Sequence, residues 1–426
     1  VPGSCNGSLC PATLYVNDGS TTGDVYTTAV GNDANPGTSS SPFATVQAAI
    51  DRACAGAIIY VDAGTYPENV NINKVLSVIG VDTVLTIIQG SGGIAVTMVS
   101  GDSASARTSL SQLRVTGGAS GIVPGSHTTL MNVLSRDNTS YGVNLGNVND
   151  VMITNSCFTH NNVGLKIPST ASVINLNIDS SEFSYNTQHG WYSDANSGIE
   201  PDLDTVSIMN TQFNYNGIKG IYTERLSNAL LKNVTVQNSG IAANTYASGI
   251  DLNLKWKDYE NIEFNMVTVS GSGTGGASGS GVTIKGRNDG GTYGANPGSI
   301  SNLVFTDNNF ASPGIVGPDT LTGLAIGNAI TNISFNGTNN FTGTGNAFTN
   351  YIDPNAMAPF SLGVSSFDGG LAHYIRNLSV VNVDALATLF DGKIGNNMNV
   401  AELAATEDRI IHDLDTTILG LVHYFD

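Results

Sequence analysis

Hydrophobic and polar positions alternate in short bursts along most of the chain, and the clearest bursts follow a glycine. Gly190-Trp-Tyr-Ser-Asp194, Gly220-Ile-Tyr-Thr-Glu224, Gly249-Ile-Asp-Leu-Asn253 and Gly281-Val-Thr-Ile-Lys285 share one pattern, and their glycines lie 30, 29 and 32 residues apart. In each, one parity is mostly apolar: Trp191, Ile221, Ile250 with Leu252, Val282 with Ile284. The other parity holds Tyr192 and Asp194, Tyr222 and Glu224, Asp251 and Asn253, Thr283 and Lys285. Successive side chains of a strand point to opposite faces, so the pattern predicts strands that bury the first set and display the second. The near-constant interval suits one coil of a solenoid, with neighbouring rungs about 4.8 Å apart.

A second repeat runs beside the first. Asn155-Ser-Cys-Phe158-Thr-His-Asn161, Ser180-Ser-Glu-Phe183-Ser-Tyr-Asn186 and Asn210-Thr-Gln-Phe213-Asn-Tyr-Asn216 share Phe at the fourth place and Asn at the seventh. Asn233-Val-Thr-Val236 and Asp307-Asn-Asn-Phe310 continue it more loosely. Asparagine suits a repeated corner because it tolerates left-handed backbone and its amide bonds to backbone and to its own kind along a stack. The Phe residues are expected to stack inside, and neither ladder is assigned chemistry.

The pattern changes at both ends. Before it, Ala44-Thr-Val-Gln-Ala-Ala-Ile-Asp-Arg-Ala-Cys54 places Val46, Ala49, Ile50 and Ala53 at helical spacing, and Ala57-Ile-Ile-Tyr-Val61 follows as a buried strand. After it, residues 346–397 lose the rung pattern, residues 399–413 have helix-forming composition, and Ile418-Leu-Gly-Leu-Val-His-Tyr-Phe425 suits a closing strand or a continuation into a longer parent protein. Open solenoid ends offer unpaired backbone and need caps. The expected organisation is therefore loops and a capping helix over 1–56, solenoid rungs over 57–345, and irregular rungs with a C-terminal cap over 346–426.

Composition narrows the class. In 426 residues there are 50 Gly and only 12% charged residues, which fits short strands and tight turns with little helix. A net charge of -18 with 16 Lys plus Arg excludes nucleic acid as a partner, since phosphate binding needs clustered basic side chains. No run of about 18 apolar residues is present to span a membrane. The start at Val1 lacks an initiator Met and suits a processed end or an arbitrary boundary. Of the four cysteines, Cys5 and Cys10 are close enough to close a small loop, whereas Cys54 and Cys157 read as buried thiols.

Several N-terminal segments carry a family resemblance: Asp18-Gly-Ser-Thr-Thr-Gly-Asp-Val-Tyr26, Gly31-Asn-Asp-Ala-Asn-Pro-Gly37, Pro42-Phe-Ala-Thr-Val-Gln-Ala-Ala-Ile50 and Ile59-Tyr-Val-Asp-Ala-Gly-Thr-Tyr-Pro-Glu-Asn69. Together they resemble the opening of secreted right-handed parallel β-helix proteins of the pectin-lyase-like superfamily. With Glu407-Asp-Arg-Ile-Ile-His412, the phrasing is most similar to modules of large surface proteins of Bacteroidetes. The resemblance implies an all-β chain, a single right-handed parallel β-helix with short N-terminal and C-terminal capping helices, the first plugging the solenoid. It does not fix an activity, because the superfamily holds lyases, hydrolases, epimerases, tailspikes and adhesins.

The candidate chemistry lies on the displayed face. If the glycines align, one column reads Asn144, Lys166, Tyr192, Tyr222, Asp251, Thr283 and the next Asp194, Glu224, Asn253, Lys285, with Lys255, Trp256 and Arg287 alongside. Four or five rungs span about 20 Å, the length of a short run of sugars. Lys166, Tyr192, Tyr222, Asn253, Lys255 and Trp256 are the candidate sugar contacts, the aromatic side chains combining a flat apolar body with a polar tip. Carboxylates on adjacent rungs approach the separation used by retaining glycosidases, so Asp194 and Glu224 suit an acid and nucleophile pair. In a second arrangement Asp194, Glu224 and Asp251 hold a calcium ion while Lys285 or Arg287 abstracts a proton in a β-elimination; otherwise no cofactor is needed. The same residues also suit a solvated face whose charges pair across rungs.

The six histidines lack metal-ligand spacing, Gly271-Ser-Gly-Thr-Gly-Gly276 opens no helix, and neither a nucleophile elbow nor a Walker A sequence occurs. The favoured reading is an extracellular, cell-surface structural or adhesive solenoid that binds an extended glycan. A polysaccharide lyase or glycoside hydrolase acting on an acidic polysaccharide is the alternative, and a self-associating filament or sheath subunit the third.

Overall fold

A computed structural model describes residues 10–196, 201–276, 279–287, 293, 296–311, 324–326, 330–342 and 361–362. It is all-β apart from one helix among these residues, every paired strand is parallel, and the fold is the right-handed parallel β-helix. The chain divides into two compact units, Val1–Asn186 and Thr187–Asp426.

In the first unit the helix Val46–Arg52 buries Val46, Ala49 and Ile50. Thr45 caps its start by accepting the Ala48 amide, and Glu68 accepts the amides of Val46 and Gln47 at 2.7 and 3.0 Å. A carboxylate there meets the positive end of the helix. At the other end Lys74 Nζ donates to the carbonyls of Ile50, Asp51 and Ala53. The strand Thr13–Val16 pairs with Ile58–Val61, which brings the residues just before each strand together. Cys10 and Cys54 occupy those places and form a disulfide. This corrects both the Cys5–Cys10 pairing and the reading of Cys54 as a thiol: parallel strand pairing overrides nearness in sequence. Cys5 lies outside the described residues. Cys157 is a free, half-buried thiol, pushed up in pKa by burial and then by Glu182.

Beyond this cap the first unit repeats. Strands Thr108–Thr116, Thr128–Arg136, Val148–Thr154 and Val173–Asp179 pair in series on one wall, and Ser120–Val123, Tyr141–Asn144 and Val163–Ile167 on another. The second unit builds its walls in the same way. One holds His189–Ser193, Lys219–Thr223, Ser248–Leu254, Ser280–Gly286 and Leu324–Ile326. Another holds Leu203–Met209, Ser227–Lys232, Asp258–Asn265, Ser299–Thr306 and Ile330–Asn336. A third is made of the short strands Thr235–Gln237, Thr268–Ser270, Asn309–Ala311 and Asn340–Thr342.

The two explanations offered for asparagine belong to different places in the repeat. Left-handed backbone falls on the first place, at Asn155, Ser180, Asn210 and Asn233, and on the sixth, at His160, Tyr185, Tyr215 and Asn238. The seventh-place residues turn inward and form the amide ladder. In the first unit the Asn138 amide donates to Asn161 Oδ1 at 3.0 Å and the Asn161 amide to Asn186 Oδ1 at 3.1 Å, while Asn161 Nδ2 donates to the carbonyls of Ser135 and Thr159. In the second unit Ser239 and Ser272 take over the role, their hydroxyls accepting from the amides of Asn216 and Ser239. Phe158 and Phe183 stack inside with centroids 4.8 Å apart, as the repeat predicts.

Crowding at this corner, by the ladder and by neighbouring carbonyls, accounts for the glycines at 142 and 249. A Cβ on Gly142 would lie 2.8 Å from Asn161 Nδ2 and from the Gly164 carbonyl, and one on Gly249 2.5 Å from the Gly281 carbonyl. The C-terminal capping helix and closing strand expected after residue 398 lie outside the described residues.

Asn161→Ala is expected to destabilise the protein by about 3 kcal/mol, because it removes two donated bonds and leaves the buried Asn138 amide without its acceptor. Asn161→Ser is expected to cost less, a hydroxyl already serving at this place in the second unit. Urea unfolding of both variants measures the difference.

Candidate functional site

The wall His189–Ser193 to Ser280–Gly286 carries the candidate residues of the second unit. Its register pairs Tyr192 with Tyr222, Tyr222 with Asp251, and Asp251 with Thr283, so these four form one column. Asn253 pairs with Lys285 in the neighbouring column, which Glu224 enters from the rung before. The opposite parity is core: Trp191, Ile221, Ile250, Leu252, Val282 and Ile284 are buried. Lys166, buried and paired with Asn144, belongs to the first unit.

The displayed side of this wall is much less open than a solvated face. Glu224 and Asn253 are each 7% exposed and Asp251 4%. Part of the cover comes from Ala195, whose amide donates to Glu224 Oε2 at 2.9 Å. Arg225, 1% exposed, donates to the carbonyls of Asp194 and Pro201 at 3.1 and 2.9 Å.

Two lysine–carboxylate pairs organise the interior of the cluster. Lys219 pairs with Asp251, and its ammonium lies 4.1 Å from the centre of the Tyr222 ring. Lys255 pairs with Glu224 Oε1, which also accepts the Tyr222 hydroxyl. Asn253 links these to the next rung: its Nδ2 donates to the Tyr222 oxygen at 3.2 Å, and its Oδ1 accepts from Arg287 at 3.3 Å. Burial alone pushes the Asp251 carboxyl up, but Lys219, Lys285 and Lys255 outweigh it and hold the group below the usual carboxylate value of 3.8. Burial, and then the charges of Glu224 and Asp251, drive the Tyr222 phenol far above its ordinary range, so it stays protonated and donates.

Aromatic side chains are engaged with one another. Tyr192 and Tyr222 stack at 5.3 Å, and His189 lies 4.8 Å from Tyr192 and 6.1 Å from Tyr222. Each tyrosine therefore turns a ring face along the column to its neighbour. Trp256 packs 5.5 Å from Tyr293, Lys255 Nζ lies 5.5 Å from the Trp256 ring, and the Arg287 guanidinium lies 4.0 Å from the centre of Tyr293.

Asp194, Glu224 and Asp251 are not assembled as a calcium cage. Among the described residues no group of three His, Cys, Asp or Glu side chains is placed to hold a metal ion, and Glu224 and Asp251 each face a lysine. Glu224 has both oxygens engaged, so it offers no free acid or nucleophile partner to Asp194 in this state.

Lys219 and His189 are the residues that alternation missed. Counting in twos from Trp191 and Ile221 assigns them to the core. The glycine after each breaks the count: a Cβ on Gly220 would meet Val236 and the Phe213 carbonyl, so glycine and the following residue both turn inward. The residue before the glycine then faces outward with Tyr222. The available signal was a lysine in an otherwise apolar parity.

Fold and site define the class: a parallel β-helix protein with a covered, charge-paired polar cluster on one wall. Residues 29–262, more than half of the chain, match a family described as a protein of unknown function, DUF1565, and the chain belongs to that family. No curated protein matches it. Among solved structures it is similar to the A-module of the mannuronan C-5 epimerase AlgE4 of Azotobacter vinelandii, with 13% identity, a TM-score of 0.49, and coverage of 72% of this chain and 91% of that one. It is also similar to pectate lyase Pel9A, at 13% identity and a TM-score of 0.38 over 87% and 86% of the two chains. An alginate lyase from Paenibacillus sp. str. FPU-7 is similar at 15% identity and a TM-score of 0.37, over 72% and 96%. These likenesses concern the fold, and no residue role is taken from them. No helix among the described residues is long and apolar enough to cross a membrane.

Lys219→Met leaves Asp251 charged, buried and unpaired, and is expected to cost about 3–5 kcal/mol at pH 7. In the parent protein the folded Asp251 value lies below the unfolded one, so its contribution is fully present above about pH 4 and is lost as the pH falls through the folded value. Without Lys219 the carboxyl takes up its proton at higher pH. The gap in urea-unfolding stability between the two proteins is therefore expected to narrow from pH 7 to pH 5.

Proposed function

We propose that the protein is an extracellular, cell-surface β-solenoid that binds an extended acidic glycan along the wall His189–Gly286. One observation carries this reading: a chain with 34 Asp plus Glu and only 16 Lys plus Arg gathers Lys219, Lys255, Lys285 and Arg287 around two carboxylates, Glu224 and Asp251. Clustered cations are the groups that an anionic ligand would meet on this wall. The rung repeat of about 4.8 Å is close to the length of one sugar, so a polymer lying along the wall meets similar groups at each step. The Cys10–Cys54 disulfide supports an oxidising compartment, and the resemblance to modules of surface proteins of Bacteroidetes supports a cell-surface setting.

Binding is favoured over catalysis because the acid–base groups are already committed. Tyr222 is held protonated, Asp251 is neutralised by Lys219, and Glu224 is saturated. The alternative, a lyase or hydrolase of acidic polysaccharides, draws on the Tyr222–Glu224 hydrogen bond, which would relay a proton once a ligand displaced Lys255.

The double variant Lys285→Ala, Arg287→Ala is expected to weaken retention in gels containing an acidic polysaccharide by about tenfold at low salt, and retention of the parent protein is expected to fall as salt rises. Equal retention of parent and variant, or retention by neutral glycans alone, would remove this reading. New reducing ends or unsaturated products in the same incubations would favour the enzyme.

A further inference from the structure

Another wall of the second unit carries a groove that the acidic-glycan reading does not use. It is open, has a volume of about 310 Å³, which is within the range of small-ligand sites, and lies across the strands Ser227–Lys232, Asp258–Asn265 and Ser299–Thr306. Two rows of side chains line it. Asn228, Asn261 and Asn302 form the first, each with left-handed backbone; Asn302 Nδ2 donates to Asn261 Oδ1 at 3.0 Å, and Asn261 Nδ2 to Asn228 Oδ1 at 2.8 Å. A side-chain amide has two hydrogens and two lone pairs, so the exposed Asn261 keeps one donor and one acceptor for a ligand. Leu230, Glu263 and Val304 form the second row, in register with one another and partly exposed. Asn265 Nδ2 donates to Glu263 Oε1 at 2.9 Å, which leaves Oε2 to the groove.

The amide row alone is explained by its bend, since asparagine tolerates left-handed backbone. The second row is not. Two aliphatic side chains stay partly exposed on either side of a carboxylate, although the same column holds Ser207 one rung earlier. No lysine or arginine lines the groove among the described residues, so Glu263 repels an anion there. A purely apolar ligand would strip water from the amides and return no hydrogen bond. A neutral sugar answers both rows, because its C–H face is apolar and its hydroxyls donate and accept. We propose that this groove binds a neutral saccharide, with the ring packed over Leu230 and Val304 and the hydroxyls bonded to Glu263 Oε2 and the Asn261 amide. Leu230 and Val304 are two rung steps apart, about 10 Å, room for about two sugar residues. The site lies on a different wall from the lysine–carboxylate cluster and does not depend on it.

Calorimetric titration of the full chain with cellohexaose, xylohexaose and mannohexaose tests this. At least one probe is expected to bind, and to do so indifferently to salt because it carries no charge. For that probe two variants are each expected to weaken binding about tenfold: Glu263→Gln, which exchanges a charged acceptor for a neutral amide, and Asn261→Gly, which keeps the left-handed backbone while removing the amide. Leu230→Lys sets a long cation beside Glu263 of the next rung and is expected to abolish binding. Binding of no probe by the parent protein overturns the proposal, as does an affinity that the three variants leave unchanged. Urea unfolding shows whether each variant folds. Where Leu230→Lys or Asn261→Gly does not, Glu263→Gln decides, being isosteric at a partly exposed side chain: a tenfold loss is expected, and an unchanged affinity overturns the proposal. Retention by acidic polysaccharide, read in parallel, bears on the other wall alone.

Discussion

Register is the constraint on which the structure depends, and the inward amide and hydroxyl ladder sets it. In a strand a slip of one residue exchanges the buried and displayed faces. Asn138, Asn161 and Asn186 in the first unit resist such a slip, each oxygen accepting from the backbone of the preceding rung. Ser239 and Ser272 do the same in the second, accepting from the amides of Asn216 and Ser239. These bonds lie inside, where water cannot replace them, so a shifted coil would strand several buried polar groups at once.

The ladder has a steric consequence that reaches the outer wall. Glycine is needed where the wall begins because ladder side chains fill the corner at Gly142 and Gly249, and Val236 with neighbouring carbonyls fills it at Gly220. Glycine there interrupts the alternation and turns the preceding side chain outward. Lys219 and His189 thus join the column of Tyr192, Tyr222 and Asp251 as a by-product of inner packing. Core and site are linked through one residue type.

Charge pairing then gives the wall its character. The ammonium groups of Lys219 and Lys255 neutralise Asp251 and Glu224 in a setting with little water, where each pair interacts strongly yet loses hydration. Lys285 lies in register with Asn253, and Arg287 donates to the oxygen of the same side chain. A wall built in this way is poor in ready-made acids and bases, because Glu224 and Asp251 are each committed to a lysine.

The sequence by itself determined the periodic part of this protein. Its glycine interval and alternating apolar residues specified parallel rungs, and the phase of those residues put Tyr192, Tyr222, Asp251 and Thr283 in one column, because period-two geometry leaves few other choices. The helix before the first buried strand was legible for the same reason, through its 3.6-residue spacing. Only the tertiary structure decided what lies between coils. Parallel pairing of Thr13–Val16 with Ile58–Val61 brought Cys10 to Cys54 rather than to Cys5, a contact that sequence spacing cannot express. Ala195 came to lie against Glu224, the glycine corner turned Lys219 to Asp251, and aromatic rings expected to face solvent stacked on one another. Each depends on atoms about 30 residues apart meeting at one rung spacing, and that information resides in the fold rather than in any single stretch of chain.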